Sequence, residues 1–92
     1  MQTATIDLGA ICSTPGALAA LEEADQTVSE FVVRHGAGDW GEVDSEDWQE
    51  NDLSVREGLR LLSAYTLKTG VKIWIITEAD RSVTTVLLPE EY

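Results

Sequence analysis

One cysteine, one histidine, one phenylalanine and two prolines occur in the 92 residues, with only six Lys and Arg against seventeen Asp and Glu. Each shortage closes off a class of function. A solitary cysteine, Cys12, can form neither an internal disulfide nor a thiolate metal cluster, which fits a reducing compartment and a role as a small core residue. A solitary histidine, His35, leaves any nucleophile without a converging base and orienting group, so a structural histidine is expected and catalysis is not. The formal net charge of -11 repels nucleic acid and anionic membranes while steering basic surfaces inward. No uncharged apolar run approaches the roughly 20 residues that span a bilayer. The opening MQTATIDLG has neither the basic start nor the apolar stretch of a signal peptide, and a cytoplasmic location is expected. The length suits a single domain, 1–92, whose modest core removes about 60–65% of the unfolded chain's surface from water.

Acid and tryptophan are the abundant features. From Asp39 to Asp52 the chain reads DWGEVDSEDWQEND: seven carboxylates and two tryptophans in fourteen residues, without a Lys or Arg. Such a segment repels itself and is solvated at little cost, whereas large aromatic rings are most stable when buried or set against a partner. The partner-binding residues expected from this run are Asp39, Trp40, Glu42, Asp44, Glu46, Asp47, Trp48, Glu50 and Asp52. Trp40 and Trp48 each have two readings, as core anchors that pin the segment down or as interface anchors ringed by carboxylates. A wholly helical run would carry one charge per roughly 3 Å, close to the roughly 3.4 Å phosphate spacing of one DNA strand, and an extended run one per roughly 7 Å. DNA mimicry by an intermediate form and an ordinary solvated face both remain open.

Thr14-Pro15-Gly16 places a cap residue before a proline suited to the first helical position, predicting a helix from about Pro15 to Asp25 with Leu18 and Leu21 inward. Thr27 and Glu30 match a capping box, followed at helical spacing by Val28, Phe31, Val32 and His35 before Gly36 and Gly38. The acidic run opens as a loop, with at most one further helix over about Ser45–Asn51. After Gly58 the period changes. Leu59–Lys68, Val71–Glu78 and Ser82–Leu88 read as an antiparallel meander, turning at Thr69-Gly70 and Ala79-Asp80-Arg81. On the middle strand Val71, Ile73 and Ile75 share one face and Trp74 and Ile76 the other, with Trp74 expected in the core. The fold class expected is α+β, two or three short N-terminal helices packed on a C-terminal three-stranded antiparallel meander.

Sites for chemistry are scarce. The carboxylates lack the DxDxDG order that wraps calcium, and the glycines of HGAGD and DWGE have no following Lys to hold a phosphate, so neither metal nor cofactor is expected. Glu78 and Asp80 could pair as acid and base. The turn reading is simpler, with Asp80 and Ser82 bonding backbone amides and Arg81 neutralising the acids.

The string RLLSAYTLKTGVKIWIITEADRSVTTVLLPEEY, with the upstream GDWGEV, resembles a group of small acidic plasmid-related proteins of bacterial plasmids and integrative elements, over about residues 36–92. The resemblance implies a habitat and no activity. In general character the chain is similar to the anti-restriction and anti-CRISPR inhibitors of mobile elements, many of which occupy nucleic-acid-binding surfaces of host defence complexes. The function expected is a non-enzymatic inhibitor that docks its acidic run on a basic surface of a host protein, as a monomer or small homo-oligomer, without binding nucleic acid or membrane directly. The alternative is an intracellular assembly or regulatory module that pairs through a sheet edge or apolar face, its acidity serving only solubility.

Overall fold

Apolar strand segments and two threonine caps set most of the architecture. The computed structural model describes residues 6–92. Thr14 accepts the Ala17 amide and starts α1 (Pro15–Glu23), and Thr27 accepts the Glu30 amide and starts α2 (Val28–Gly36). Asp44 caps α3 (Ser45–Glu57), which Gly58 ends in the left-handed conformation at φ 72°. The meander forms as β2 (Leu61–Thr66), β3 (Lys72–Thr77) and β4 (Val83–Leu87), followed by one 3-10 turn, Pro89–Glu91.

The sheet has a fourth strand that the sequence reading lacks. β1 (Ala10–Ser13) runs parallel to β4, so the order is β1-β4-β3-β2 and the sheet is mixed, although the meander itself is antiparallel. Four residues, AICS, are too few to show alternation, and their partner lies more than seventy residues on in sequence. Register places Ser63 opposite Ile75 and Ile75 opposite Val86, lining one face. Tyr65, Ile73, Ile75 and Val86 pack there against Ala17, Leu21, Ala24 and Phe31 of the helical layer, each large apolar side chain contributing about 1.5–3 kcal/mol.

Three placements correct the sequence reading. Leu18 is 48% exposed, because α1 turns Ala17 and Leu21 inward, one turn apart. Cys12 is exposed, because it sits on an edge strand and points, like its neighbour Thr85, away from the helix-covered face. Trp74 is half-buried on that second face, its ring meeting Tyr92 edge-on at 5.7 Å.

His35 is fully buried at the centre of a polar chain. Thr84 Oγ1 donates to the Leu8 carbonyl (2.7 Å), so it accepts from Thr77 Oγ1 (2.7 Å), which accepts from His35 Nε2 (2.8 Å). Nε2 therefore carries the proton, and Nδ1 accepts from Ser63 Oγ at 2.5 Å. With the ring neutral, every member of the polar chain has a partner. Burial pushes the imidazole pKa down to about 4, with the Arg81 charge acting in the same direction.

Candidate partner-binding surface

The acidic run divides at Asp44 into an extended strap and a helix. The strap holds the fold. Arg34 Nε donates to Asp39 Oδ2 at 2.7 Å while Asp39 Oδ1 accepts the Gly41 amide. The guanidinium holds the Asp39 carboxyl below its usual range and lies 4.6 Å from the centre of the Tyr65 ring. Tyr65 Oη donates to the Asp39 carbonyl at 2.6 Å, and burial pushes its pKa up to about 12. Trp40 is fully buried edge-on to His35, its Nε1 donating to Asp52 Oδ1 at 3.0 Å, so of its two readings the core anchor is the one realised.

The strap closes the outer edge of β2. Ala64 N donates to Trp40 O (3.1 Å) and Glu42 N to Ala64 O (2.7 Å). The Glu42 carboxylate takes both Thr66 N (3.1 Å) and Thr66 Oγ1 (2.7 Å). One residue pair along, Asn51 accepts from Leu62 N (3.1 Å) and donates to Leu62 O (2.7 Å). Each amide on this edge, at Leu62, Ala64 and Thr66, thus has an acceptor. Only glycine fits at position 41, where φ is 76° and a Cβ would collide with the Ala64 carbonyl.

Polar anchors fix α3 in place. Only Asn51 and Ser54 of its thirteen residues are buried, and Trp48 is half-buried. Arg81, expected to neutralise the acids of its own turn, instead reaches back to Ser54 O (3.0 Å) and Leu59 O (2.7 Å) at the C-terminal end of the helix. There it satisfies end carbonyls and complements the negative pole of the dipole. Asp80 does cap the turn as expected, accepting Ser82 N at 3.0 Å. These tethers carry the helix through Asn-Asp-Leu-Ser, where propensity alone stops it at Asn51.

Five of the nine expected binding residues are engaged within the chain: Asp39, Trp40 and Glu42 in the strap, Asp44 as the cap, and Asp52 beneath Trp40. Glu46, Asp47 and Glu50 project to solvent from α3, while Trp48 is half-buried on the side of Asn51. With Asp52 and Glu57, also exposed, these carboxylates spread over about 17 Å of helix, one charge per roughly 4 Å. The ion pairs among the described residues, Arg34–Asp39 and Arg60–Glu78, reach none of these five carboxylates. Glu46 and Asp47 favour the first turn through the dipole, which helps explain why so acidic a helix starts there.

Not foreseen from the sequence were Asn51 as an anchor, the reach of Arg81 to α3, and the pair Leu53 and Val55, which are each 40% exposed on α3. The available signal was Trp48, Asn51 and Val55 at helical spacing, a polar residue standing at an inward position. Val55 borders a groove of about 340 Å³ that is also lined by Asp7, Asp52 and Arg81. His35 and Ser63 are in hydrogen-bond contact, but both are sealed from solvent. Among the described residues no three His, Cys, Asp or Glu side chains converge as a metal site, and no helix is long and apolar enough to cross a membrane. Comparison with protein families, with characterised proteins and with solved structures found no match to this chain.

Proposed function

We propose that the chain is a non-enzymatic acidic binding protein that presents α3 to a basic, nucleic-acid-binding surface of another protein. It acts in the manner of the inhibitors that mobile elements direct against host restriction and CRISPR complexes. The observation that supports this reading is the makeup of α3: exposed, unpaired carboxylates at Glu46, Glu50 and Glu57 share a face with an exposed Leu53, with Asp47 at its margin, on a helix held from behind by hydrogen bonds. Charge supplies fast capture, and Leu53 supplies contact area, with the half-buried Trp48 at the margin of the face. A Lys or Arg of the partner fits the neighbouring groove, its stem along Val55 and its charge toward Asp7 and Asp52.

The test uses wild type and a Glu46→Lys, Asp47→Lys, Glu50→Lys variant as baits for host proteins at low salt. Kinetics follow on a captured partner at two ionic strengths. The expected result is slower association for the reversed variant and little change in dissociation, with the difference shrinking at high salt. Trp48→Ala should instead speed dissociation, by about 1–3 kcal/mol in binding energy if the ring is a hot spot. An unaltered association rate for the triple reversal would reduce α3 to a solvated face.

A further inference from the structure

The outer edge of β1 is free among the described residues, and its bonding pattern is complementary to itself. Ala10 N donates to Ser82 O and Thr14 N to Val86 O, so the even-numbered amides of this segment face β4. Ile11 and Ser13 therefore turn their amides and carbonyls outward, one on each side of Cys12. We propose that β1 pairs with β1 of a second copy of this chain, antiparallel about a two-fold axis, to form one continuous eight-stranded sheet.

The register follows from the hydrogen bonds. Setting Ile11 opposite Ser13 of the second copy uses both outward residues of each strand, giving four backbone bonds, more than any other alignment of so short an edge. Cys12 then stands directly opposite its symmetry mate in a non-hydrogen-bonded pair, where Cα atoms approach to about 4.5 Å, within the range a disulfide bridges. The second copy is a fitting occupant on charge. Ala10–Ser13 is uncharged, and it carries none of the lysines or prolines that guard open edges. The acidic first half of α3, up to Asn51, lies at the opposite edge, beside β2. Across eight strands the two β2 edges stand about 34 Å apart, several Debye lengths at physiological salt, so a chain of charge -11 can pair here with the Glu46, Asp47 and Glu50 halves of its acidic helices kept apart. Ile11 and, on the following helix, Leu18 are 44% and 48% exposed, leaving apolar surface on both elements at this side of the sheet.

Sedimentation over a concentration series into the millimolar range tests the pairing, with Cys12 reduced. Wild type should pass from monomer to dimer. Ile11→Pro removes an outward amide and leaves the bonds to β4 intact, so it should fold and weaken the dimer by on the order of tenfold or more. Ser13→Lys, which keeps the backbone and adds like charges across the axis, should weaken it as well. Diamide, which accepts two electrons and two protons from a thiol pair and is reduced to the hydrazine, should convert the wild-type dimer to a Cys12–Cys12 disulfide. It should do so far faster than in Ile11→Pro at equal concentration. A chain monomeric throughout the series would overturn the proposal. A dimer untouched by both variants, or one that diamide does not crosslink, would overturn it equally. A dimer lost instead on Trp74→Glu would place the second copy on the open face of the sheet and refute pairing through β1.

Discussion

The two edges of this sheet solve the same problem in opposite ways. At β2 the outward amides of Leu62, Ala64 and Thr66 all have acceptors, supplied by Asn51, the Trp40 carbonyl and Glu42. At β1 the outward groups of Ile11 and Ser13 have no strand beside them among the described residues. The difference shows what a run of carboxylates can be for. Three residues from the most acidic stretch of the chain hold closed the edge that they border, and the charge left over stands on the helix behind it. A charge run read as one functional surface is here two devices with different jobs.

The closed edge fails first where its anchor is buried. Trp40→Ala removes a fully buried ring and leaves Asp52 without its indole donor, and should cost about 3–5 kcal/mol, measured by urea unfolding. Cost well under that would mean that the strap is not held by Trp40. Next in size is acid. The His35 chain runs from Ser63 on β2 through Thr77 and Thr84 to Leu8, just ahead of β1, and so ties the two sides of the sheet together. Its pKa is depressed to about 4 in the fold from an ordinary 6.5, so between those values the unfolded chain binds the extra proton. The contribution of His35 to stability is therefore essentially complete above pH 6.5 and should fall by about 3 kcal/mol as pH drops toward 4. As the only histidine, His35 can be followed directly by NMR, and a midpoint near 6.5 would break this link.

Asn51→Ala should cost less, about 1–3 kcal/mol, because Leu62 N and O lose their partners at a site that is largely closed to water. Smallest of all is the change at the open edge. Ile11→Pro should alter monomer stability by under about 1 kcal/mol, whereas Ala64→Pro on the closed edge, removing the bond to Trp40 O, should cost several times as much. Equal costs for the two prolines would erase the distinction between the edges.

Much of the fold could be read from local chemistry. Thr14 and Thr27 stood before apolar spacing of period 3.6, and β2, β3 and β4 are runs of five or six residues rich in β-branched, aromatic and aliphatic side chains between turns. β1 could not be read that way, being four residues long and paired parallel to the far end of the chain. The length of α3 escaped for a related reason: its second half is stabilised by Asn51, Asp52 and Arg81 across the fold, none of which raises helix propensity. The acidic surface was legible in its charge but not in its division of labour. Whether a carboxylate is free depends on which amide lies within reach, and Glu42 meets Thr66 across twenty-four residues.

Amide hydrogen exchange, read residue by residue at a concentration where the chain sediments as a monomer, compares the edges within one experiment. The account predicts that Leu62, Ala64 and Thr66 exchange slowly, near the rate set by global unfolding, while Ile11 and Ser13 exchange almost as freely as in an unfolded chain. Fast exchange at Leu62, Ala64 and Thr66 would show that the strap and Asn51 do not close β2, and would remove the structural role given to Glu42.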